Sequence, residues 1–532
     1  MTRKFYPRQV YVAASWMAPI GRYNGKDKEK LSFLEMAERT GEVFAGSSVR
    51  RRDIEAVIVG SQNPSAFSGV DNTAAKISGI LGISGAKSIL IDTASSSGAS
   101  AFENAYLEVA SGRHDHVLAI GIQKLSETST EDTTRIIAGV IDREESECGL
   151  TMPACGALVA RALIEKLQLT EEEWTAYAAL LNQRSHRFAS KNPNAHNRSK
   201  LEVADYFRQI ANNRNFKLWD PLRLQDYCPM SDGMAAVVLT SKPQDILISG
   251  LGSATDIPTI ADRHYFHSFP ATVWAAGYTY GMAGVKDIRS FSGSLHVNMH
   301  DPFISFGPIN LVDLGIVSRN RLMDALLDDD LTGENGEFPT NLTGGLIGRG
   351  HPLGATGMVQ IVENHQLMNE RSFSAAVSQS IGGPINNNMV VLLESSKSFF
   401  SRNHEPYKPW GLPSLSRLKP KNVTLDALLA DGVTVEGSFV TTTARFNYKS
   451  GLAEVVVVIV ACRFEGGVYR FIFGIDGEHY GQVSLFKNGD PVSLERVDGC
   501  ILLNRMPVRK FYTRTVNGLV ELAGNSLKRL VK

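Results

Sequence analysis

Between Lys87 and Gly121 two short apolar runs flank a stretch in which apolar residues recur every third or fourth position. Ser88 to Ile91 and His116 to Ile120 are the runs of strand type, and Phe102, Ala105, Tyr106 and Val109 mark a helix that Gly112 closes. The order strand, tight turn, buried helix, strand predicts parallel α/β architecture, with the turn at Thr93-Ala94-Ser95-Ser96-Ser97-Gly98. The pattern returns late in the chain. Phe373 to Val377 leads into Ser378-Gln379-Ser380-Ile381-Gly382-Gly383, read as a second small-residue turn, and then into Met389 to Leu393. Two such turns at the ends of buried strands predict two related halves across a shared cleft, where the sites of open α/β sheets gather.

The stretch from about Ile122 to Leu222 is largely polar and partly helical, too long for a simple loop, and reads as an inserted subdomain. Beyond Glu394 the character changes. Ser401 to Asn422 carries Pro406, Pro409, Pro413 and Pro420, the composition of an extended linker. After it come β-type runs at Phe439–Tyr448, Ala453–Phe464, Tyr469–Ile475, Gln482–Phe486 and Cys500–Asn504, which predict a small antiparallel barrel or sandwich. The expected division is residues 1–246 with the insert at about 122–222, then 247–396, a linker over 397–424, and an all-β domain over 425–532.

With 532 residues, 43% hydrophobic and 21% charged, the chain has the composition of a soluble globular protein. Its formal net charge of zero gives no electrostatic case for nucleic acid or anionic membrane as principal partner. The five cysteines, Cys148, Cys155, Cys228, Cys462 and Cys500, show neither zinc nor disulfide spacing, so a reducing compartment and no metal site are expected. No signal-peptide core follows Met1 to Arg8, and the apolar run Val455 to Cys462 is too short to span a bilayer. The ending Arg-Leu-Val-Lys is not a peroxisomal address, which leaves the cytoplasm as the expected location.

The candidate chemistry centres on Gly344 to Gly357, Gly-Gly-Leu-Ile-Gly-Arg-Gly-His-Pro-Leu-Gly-Ala-Thr-Gly. Proline pins His351 on one side, and six glycines surround it, so the imidazole is expected on a rigid turn with backbone packed close to a ligand. A helix from Met358 to Glu370 follows. The bland alternative is a structural histidine in a glycine-rich turn. This run resembles the Gly-His-Pro block of the thiolase superfamily, and three more blocks resemble it in the right order: Ser95-Ser96-Ser97-Gly98, His300-Asp301-Pro302-Phe303 and Ser380-Ile381-Gly382-Gly383. Lys191-Asn192-Pro193-Asn194-Ala195 and Cys228-Pro229-Met230-Ser231-Asp232-Gly233 look most like the sterol-carrier-protein branch. The resemblance covers roughly residues 5 to 395. It implies a thiolase fold, two related α/β halves in a layered sandwich with an inserted loop subdomain, and here a small C-terminal all-β domain beside it.

Thiolases make or break a carbon-carbon bond between acyl groups carried on coenzyme A. The resemblance implies an acyl-CoA thioester as substrate, no permanently bound cofactor, an oxyanion hole built with His300 and His351, and room for a homodimer through the thiolase core. The family's two cysteine positions are Ser95 and Ser380 in this chain. A thiol titrates near pH 8.5 and yields thiolate readily, whereas a serine hydroxyl needs an adjacent base. Ordinary thiolysis is therefore expected to suffer. Ser95 could still attack if a helix N-terminus and His351 assist it, and the bland reading is a capping cluster. His300, His351 and backbone N–H groups near Ser95, Gly382 and Gly383 remain able to cradle a carbonyl oxygen.

Three readings stay open: an acyl-CoA acyltransferase of acetyl-CoA acetyltransferase type, a carbon-carbon lyase or hydrolase using the oxyanion hole alone, and a non-catalytic acyl-CoA or lipid-binding protein. For the lyase, Tyr278 and Tyr280 are candidate acid-base residues, with core packing as their bland alternative.

Overall fold

The computed structural model describes residues 8–263, 266–402, 434–464, 467–497 and 500–515. Nine strands form one mixed sheet: β1 (Tyr11–Met17), β2 (Ala56–Gly60), β3 (Lys87–Ile91), β4 (His116–Gln123), β7 (Gly233–Thr240), β8 (Ile246–Thr255), β9 (Leu295–Asn298), β10 (Ala375–Gly382) and β11 (Asn387–Ser395). Their order is β3-β2-β4-β7-β1-β8-β11-β10-β9. Each half keeps a parallel pairing, β2 with β3 and β4 in the first and β9 with β10 in the second. Strands β2, β4, β7 and β10 are buried at every residue, as sheets covered by helices on both faces require.

Between the halves lie the helices Ser97–Ala110 and Thr356–Arg371. Phe102, Ala105 and Val109 of the first share an apolar cluster with Met358, Ile361 and Val362 of the second. Their starts touch: a methyl on Gly98 would lie 2.9 Å from the Gly354 carbonyl oxygen, and one on Gly357 would lie 2.7 Å from Ala99. The stretch read as an insert holds helices Thr130–Ala138, Arg143–Glu147, Met152–Leu167, Glu171–Ala189 and Val203–Ala211, then a hairpin of β5 (Lys217–Trp219) and β6 (Leu222–Arg223).

The C-terminal strands are β12 (Thr434–Phe446), β13 (Ala453–Phe464), β14 (Gly467–Asp476), β15 (Pro491–Val497), β16 (Cys500–Leu503) and β17 (Met506–Thr515). The order β13-β14-β17-β16-β15-β12, closed by pairing of β13 with β12, makes a barrel and settles the barrel-or-sandwich alternative. Gln482–Phe486 is not a strand. The short helix Tyr480–Val483 stands there, after a 3-10 turn at Gly477–His479, with Val483 buried in the barrel core and Tyr480 and Phe486 packed against it. The proline-rich stretch over 403–422 lies outside the described residues.

The barrel docks on the inserted elements. Asp220 N–H donates to the Ala444 carbonyl at 2.9 Å, and the Thr443 hydroxyl donates to the Asp220 carbonyl at 2.9 Å. Val440, Val457, Ile459 and Ile472 of the barrel join one apolar cluster with Leu158, Trp219 and Phe303. The Asp220 carboxylate is buried between Arg161 and Lys217, the latter at 2.9 Å. Asp220→Ala strips both cations of their shared anion at this seam, so calorimetry of the full chain should show a loss of about 3 kcal/mol. An unchanged melting temperature would remove the pair from the docking account.

Candidate active site

Strand β10 organises the site. Its alternation sends Ser378, Ser380 and Gly382 to one face and Gln379 and Ile381 to the other. Ser380 and Gly382 thus lie inside a buried strand, and the turn comes later, at Gly383 (φ 59°), where Asn386 N–H returns to the Gly382 carbonyl at 3.2 Å. A methyl on Gly382 would collide with the Thr93 carbonyl and the Ser96 hydroxyl, so the strand crosses the Ser95 turn in backbone contact. The Ser380 hydroxyl is buried without a hydrogen-bond partner among the described residues, 3.0 Å from where a methyl on Gly357 would sit.

In the Ser95 turn Ala94 holds a φ of 56°, a left-handed conformation that costs a side-chain-bearing residue about 1–3 kcal/mol. Ser96 Oγ donates to the Thr93 carbonyl at 2.8 Å, and Ser97 Oγ donates to that of Ala94 at 2.5 Å. Those two serines fill the turn-building role. The helix begins at Ser97, and half-buried Ser95 stands just before it with no hydroxyl hydrogen bond among the described residues.

On the other face of β10 the Gln379 side-chain oxygen accepts the His300 N–H at 2.8 Å, and the His300 carbonyl accepts from Asn310 Nδ2 at 2.7 Å. This fixes the His300 loop by its main chain and leaves ring Nδ1 buried and unpartnered. His351 follows Gly350, whose φ of 110° belongs to glycine, and whose hydrogen faces Ser231 so closely that a methyl would lie 2.6 Å from Oγ. The His351 Nδ1 lies 2.7 Å from Thr356 Oγ1. The two imidazoles stand perpendicular, with centroids 5.0 Å apart.

Burial and the Arg349 guanidinium push the His351 imidazole down to about 3. His300 is also held well below its ordinary range, by burial first and then by His351 and Arg349. Both rings are neutral at physiological pH. Burial pushes the Asp301 carboxyl up to about 7, against the Leu346 N–H (2.7 Å), Arg349 and the Asn341 amide (2.9 Å).

The segment Tyr227–Ser231 walls the pair: Tyr227 bridges to Phe303, and Met230 bridges to His351. Cys228 lies in this wall, its N–H donating to the Pro302 carbonyl at 2.9 Å. Burial and Asp301 push its thiol up, and burial does the same to Cys155, so neither offers a thiolate. Tyr280 donates its hydroxyl to the Leu314 carbonyl at 2.8 Å, and Tyr278 packs against Gly252 of β8; neither makes a hydrogen bond or ring contact with either histidine. Among the described residues no group of three or more His, Cys, Asp or Glu is arranged to hold a metal ion, and no helix is long and apolar enough to cross a membrane.

The Ser95 turn, Ser380, Gly382, His300 and His351 therefore converge. Sequence reading missed Gln379 and Thr356, which orient the histidines, and Arg349 with Glu363 beneath them. The one available signal was Arg349 itself, a charge inside a block otherwise made of glycine and apolar residues.

Two α/β halves whose helix starts abut beneath a pair of imidazoles define a thiolase-type fold. The chain belongs to the thiolase family: the family profile described as Thiolase, N-terminal domain matches residues 10–204, and Thiolase C-terminal domain-like matches residues 252–395. An acetyl-CoA acetyltransferase of Methanothermobacter thermautotrophicus is 32% identical over 63% of this chain and 85% of its own length. Sterol carrier protein 2 of Gallus gallus is 26% identical over 53% of each chain. In fold, the monomeric SCP2-thiolase like protein type 1 from Mycobacterium smegmatis superposes with a TM-score of 0.66 at 16% identity, covering 93% of this chain and 99% of that one.

The lowered imidazole fixes a sign. His351 stays unprotonated in the folded chain below pH 6.5 while the unfolded chain takes up a proton, so its contribution to stability is present above about pH 6.5 and is lost as pH falls toward about 3. His351→Asn removes that dependence. Its stability deficit against the native chain should shrink by about 1 kcal/mol per pH unit between pH 6 and pH 5, read by denaturant titration. A constant deficit would contradict a buried neutral ring.

Proposed function

We propose that this protein is a thiolase-type acyltransferase of acetyl-CoA acetyltransferase kind, acting on acyl-CoA thioesters, with Ser95 as acyl acceptor. The observation that carries the reading is the perpendicular, neutral His300–His351 pair converging with the Ser95 turn. The name carried by the 32% identical relative supports an acyl-CoA substrate.

A neutral imidazole donates an N–H to a thioester carbonyl without first losing a proton. With the Thr356 hydroxyl donating to Nδ1, the His351 ring proton sits on Nε2 and serves as that donor. His300 donates its own ring N–H to the same oxygen, and Ser95 Oγ attacks the carbonyl carbon. The carbon-sulfur bond then breaks, and the Ser95 hydroxyl proton leaves on the departing coenzyme A sulfur. Backbone N–H groups at the Ser95 turn and at Gly382–Gly383 add donors, and Ser380 stands where the second proton carrier would work. The CoA thioester enters as substrate and no permanently bound cofactor is invoked.

The weak basicity of both rings slows serine attack, and an oxygen ester is harder to discharge to a thiol than a thioester. That weakness favours one second reading, in which the same pair steadies an enolate during carbon-carbon cleavage without an acyl-enzyme.

Intact-mass analysis after incubation with acetyl-CoA separates them. The acyltransferase reading expects one acetyl group on Ser95, free coenzyme A in equal amount, and no adduct in Ser95→Ala. Cleavage of acetoacetyl-CoA without an adduct would transfer the case to the lyase reading, and binding without turnover of either thioester would defeat both. Ser95→Cys should raise thiolysis by at least roughly tenfold, because a thiolate is available near neutrality; no gain would show that more than the nucleophile differs.

A further inference from the structure

Arg349 is the last residue of the Gly345–Arg349 helix and is fully buried, two positions before His351. Its Nη1 pairs with Glu363 Oε2 on the Thr356–Arg371 helix. The same carboxylate oxygen accepts from Asn298 Nδ2 at 2.9 Å, and Asn298 ends β9, two residues before His300. Gln360 Nε2 reaches the Asn298 carbonyl at 3.4 Å. One buried bracket therefore joins the loop that carries His351, the helix that carries Thr356 and the strand that leads to His300. The bracket is not saturated. Among the described residues Arg349 Nη2 and Glu363 Oε1 are both buried without a partner, as are His300 Nδ1 and Ser380 Oγ.

An ion pair this deep is poor value for stability, since desolvating both ions offsets most of their attraction. Its place beneath the two rings gives it a different use. We propose that Arg349 is a positioning residue for the histidine pair, holding the His300 and His351 loops in register through Glu363 and Asn298 and keeping a positive potential under the carbonyl-binding face.

A cation there disfavours a second positive charge on either ring and favours negative charge on a bound oxygen, so one group both preserves the N–H donors and complements the oxyanion they hold. The other charged or titratable groups around the rings and the bracket include Asp301 on the His300 loop, Glu363 on its helix, Cys228 in the wall segment and His196, whose backbone N–H donates to the Arg349 carbonyl at 2.7 Å and whose Nδ1 lies 2.8 Å from Ser231 Oγ. Behind Asp301 stands Arg184 of the Glu171–Ala189 helix. Asp301 is held by Leu346 and Asn341, and Arg184 donates to the Thr332 and Thr340 carbonyls. Arg349 is thus the cation nearest in sequence to His351 and the one tied to both loops.

The assignment rests on His300 and His351 being the carbonyl-polarising pair, and its test needs no turnover. With histidines labelled at Cε1, NMR titration of the full native chain should leave both resonances at their neutral positions down to about pH 5. In Arg349→Met both should titrate above pH 5, for His351 an upward move of about two pH units or more, and in Arg349→Lys they should stay neutral. Glu363→Gln leaves the cation in place and should also keep both rings neutral. A merely structural bracket would admit water and raise the rings equally in Arg349→Met and Glu363→Gln, and that result would overturn the proposal. Rings that stay neutral in Arg349→Met would overturn it too. If Arg349→Met does not fold, Arg349→Met/Glu363→Leu is read in its place, with titration above pH 5 again required. Loss of acyl transfer in every variant, native chain included, would sink the functional reading while leaving this titration to stand or fall alone.

Discussion

The structure depends on a contact that only hydrogen allows. Two helix starts, at Gly98 and Gly357, and the end of a buried strand, at Gly382, meet so closely that a methyl group on any of them would strike backbone or side chain of the opposing half. These approaches set where Ser95 stands relative to Ser380, and they bring the His351 turn over the same point. Glycine is disfavoured in helices and strands on conformational grounds, so its presence at these three positions is a geometric requirement of the convergence.

Packing at that contact leaves no room for solvent to moderate charge. The rings of His300 and His351 are neutral because burial disfavours the imidazolium, and Arg349 pushes the same way. Asp301 shows the converse effect, its carboxyl raised toward neutrality. Among the described residues His300, Ser380, Arg349, Glu363 and Gln360 each keep a buried polar atom without a partner in this small volume. A protein core avoids such atoms, and where they gather they are commonly found at sites that bind or transform a ligand. Under the proposed acyltransferase reading, serine at positions 95 and 380 gives up the easy ionisation of a thiol and keeps this polarising apparatus in place.

Much of the site was legible in the sequence because each block is a dense local pattern: glycines around His351, serines before a helix, histidine before Asp-Pro-Phe. Ser380 was misplaced into a turn because small polar residues in sequence look alike whether they turn or lie in a buried strand, and only the neighbouring halves determine which. Gln482 to Phe486 alternates like a strand, yet Val483 reaches the barrel core from a short helix, and Phe486 packs against that core from the turn beyond it. Strand β15 escaped notice because it opens on proline and carries the polar Ser493, Glu495 and Arg496 at half-buried positions. The Arg349–Glu363 bracket was invisible for a different reason: it joins the end of one helix to the middle of the next, a relation set by packing and not by spacing. A small all-β domain, barrel or sandwich, was legible in the sequence, while its hydrogen bonds to Asp220 required the hairpin that the polar insert concealed.

The central claim is that a thioester carbonyl is held by His300 and His351 beside Ser95. A crystal structure of Ser95→Ala with acetyl-CoA bound tests it most directly. The account predicts the thioester oxygen within hydrogen-bond distance of at least one of the two imidazoles, with the carbonyl carbon facing the position of the missing hydroxyl. A well-ordered coenzyme A whose acyl group lies away from both rings would contradict it.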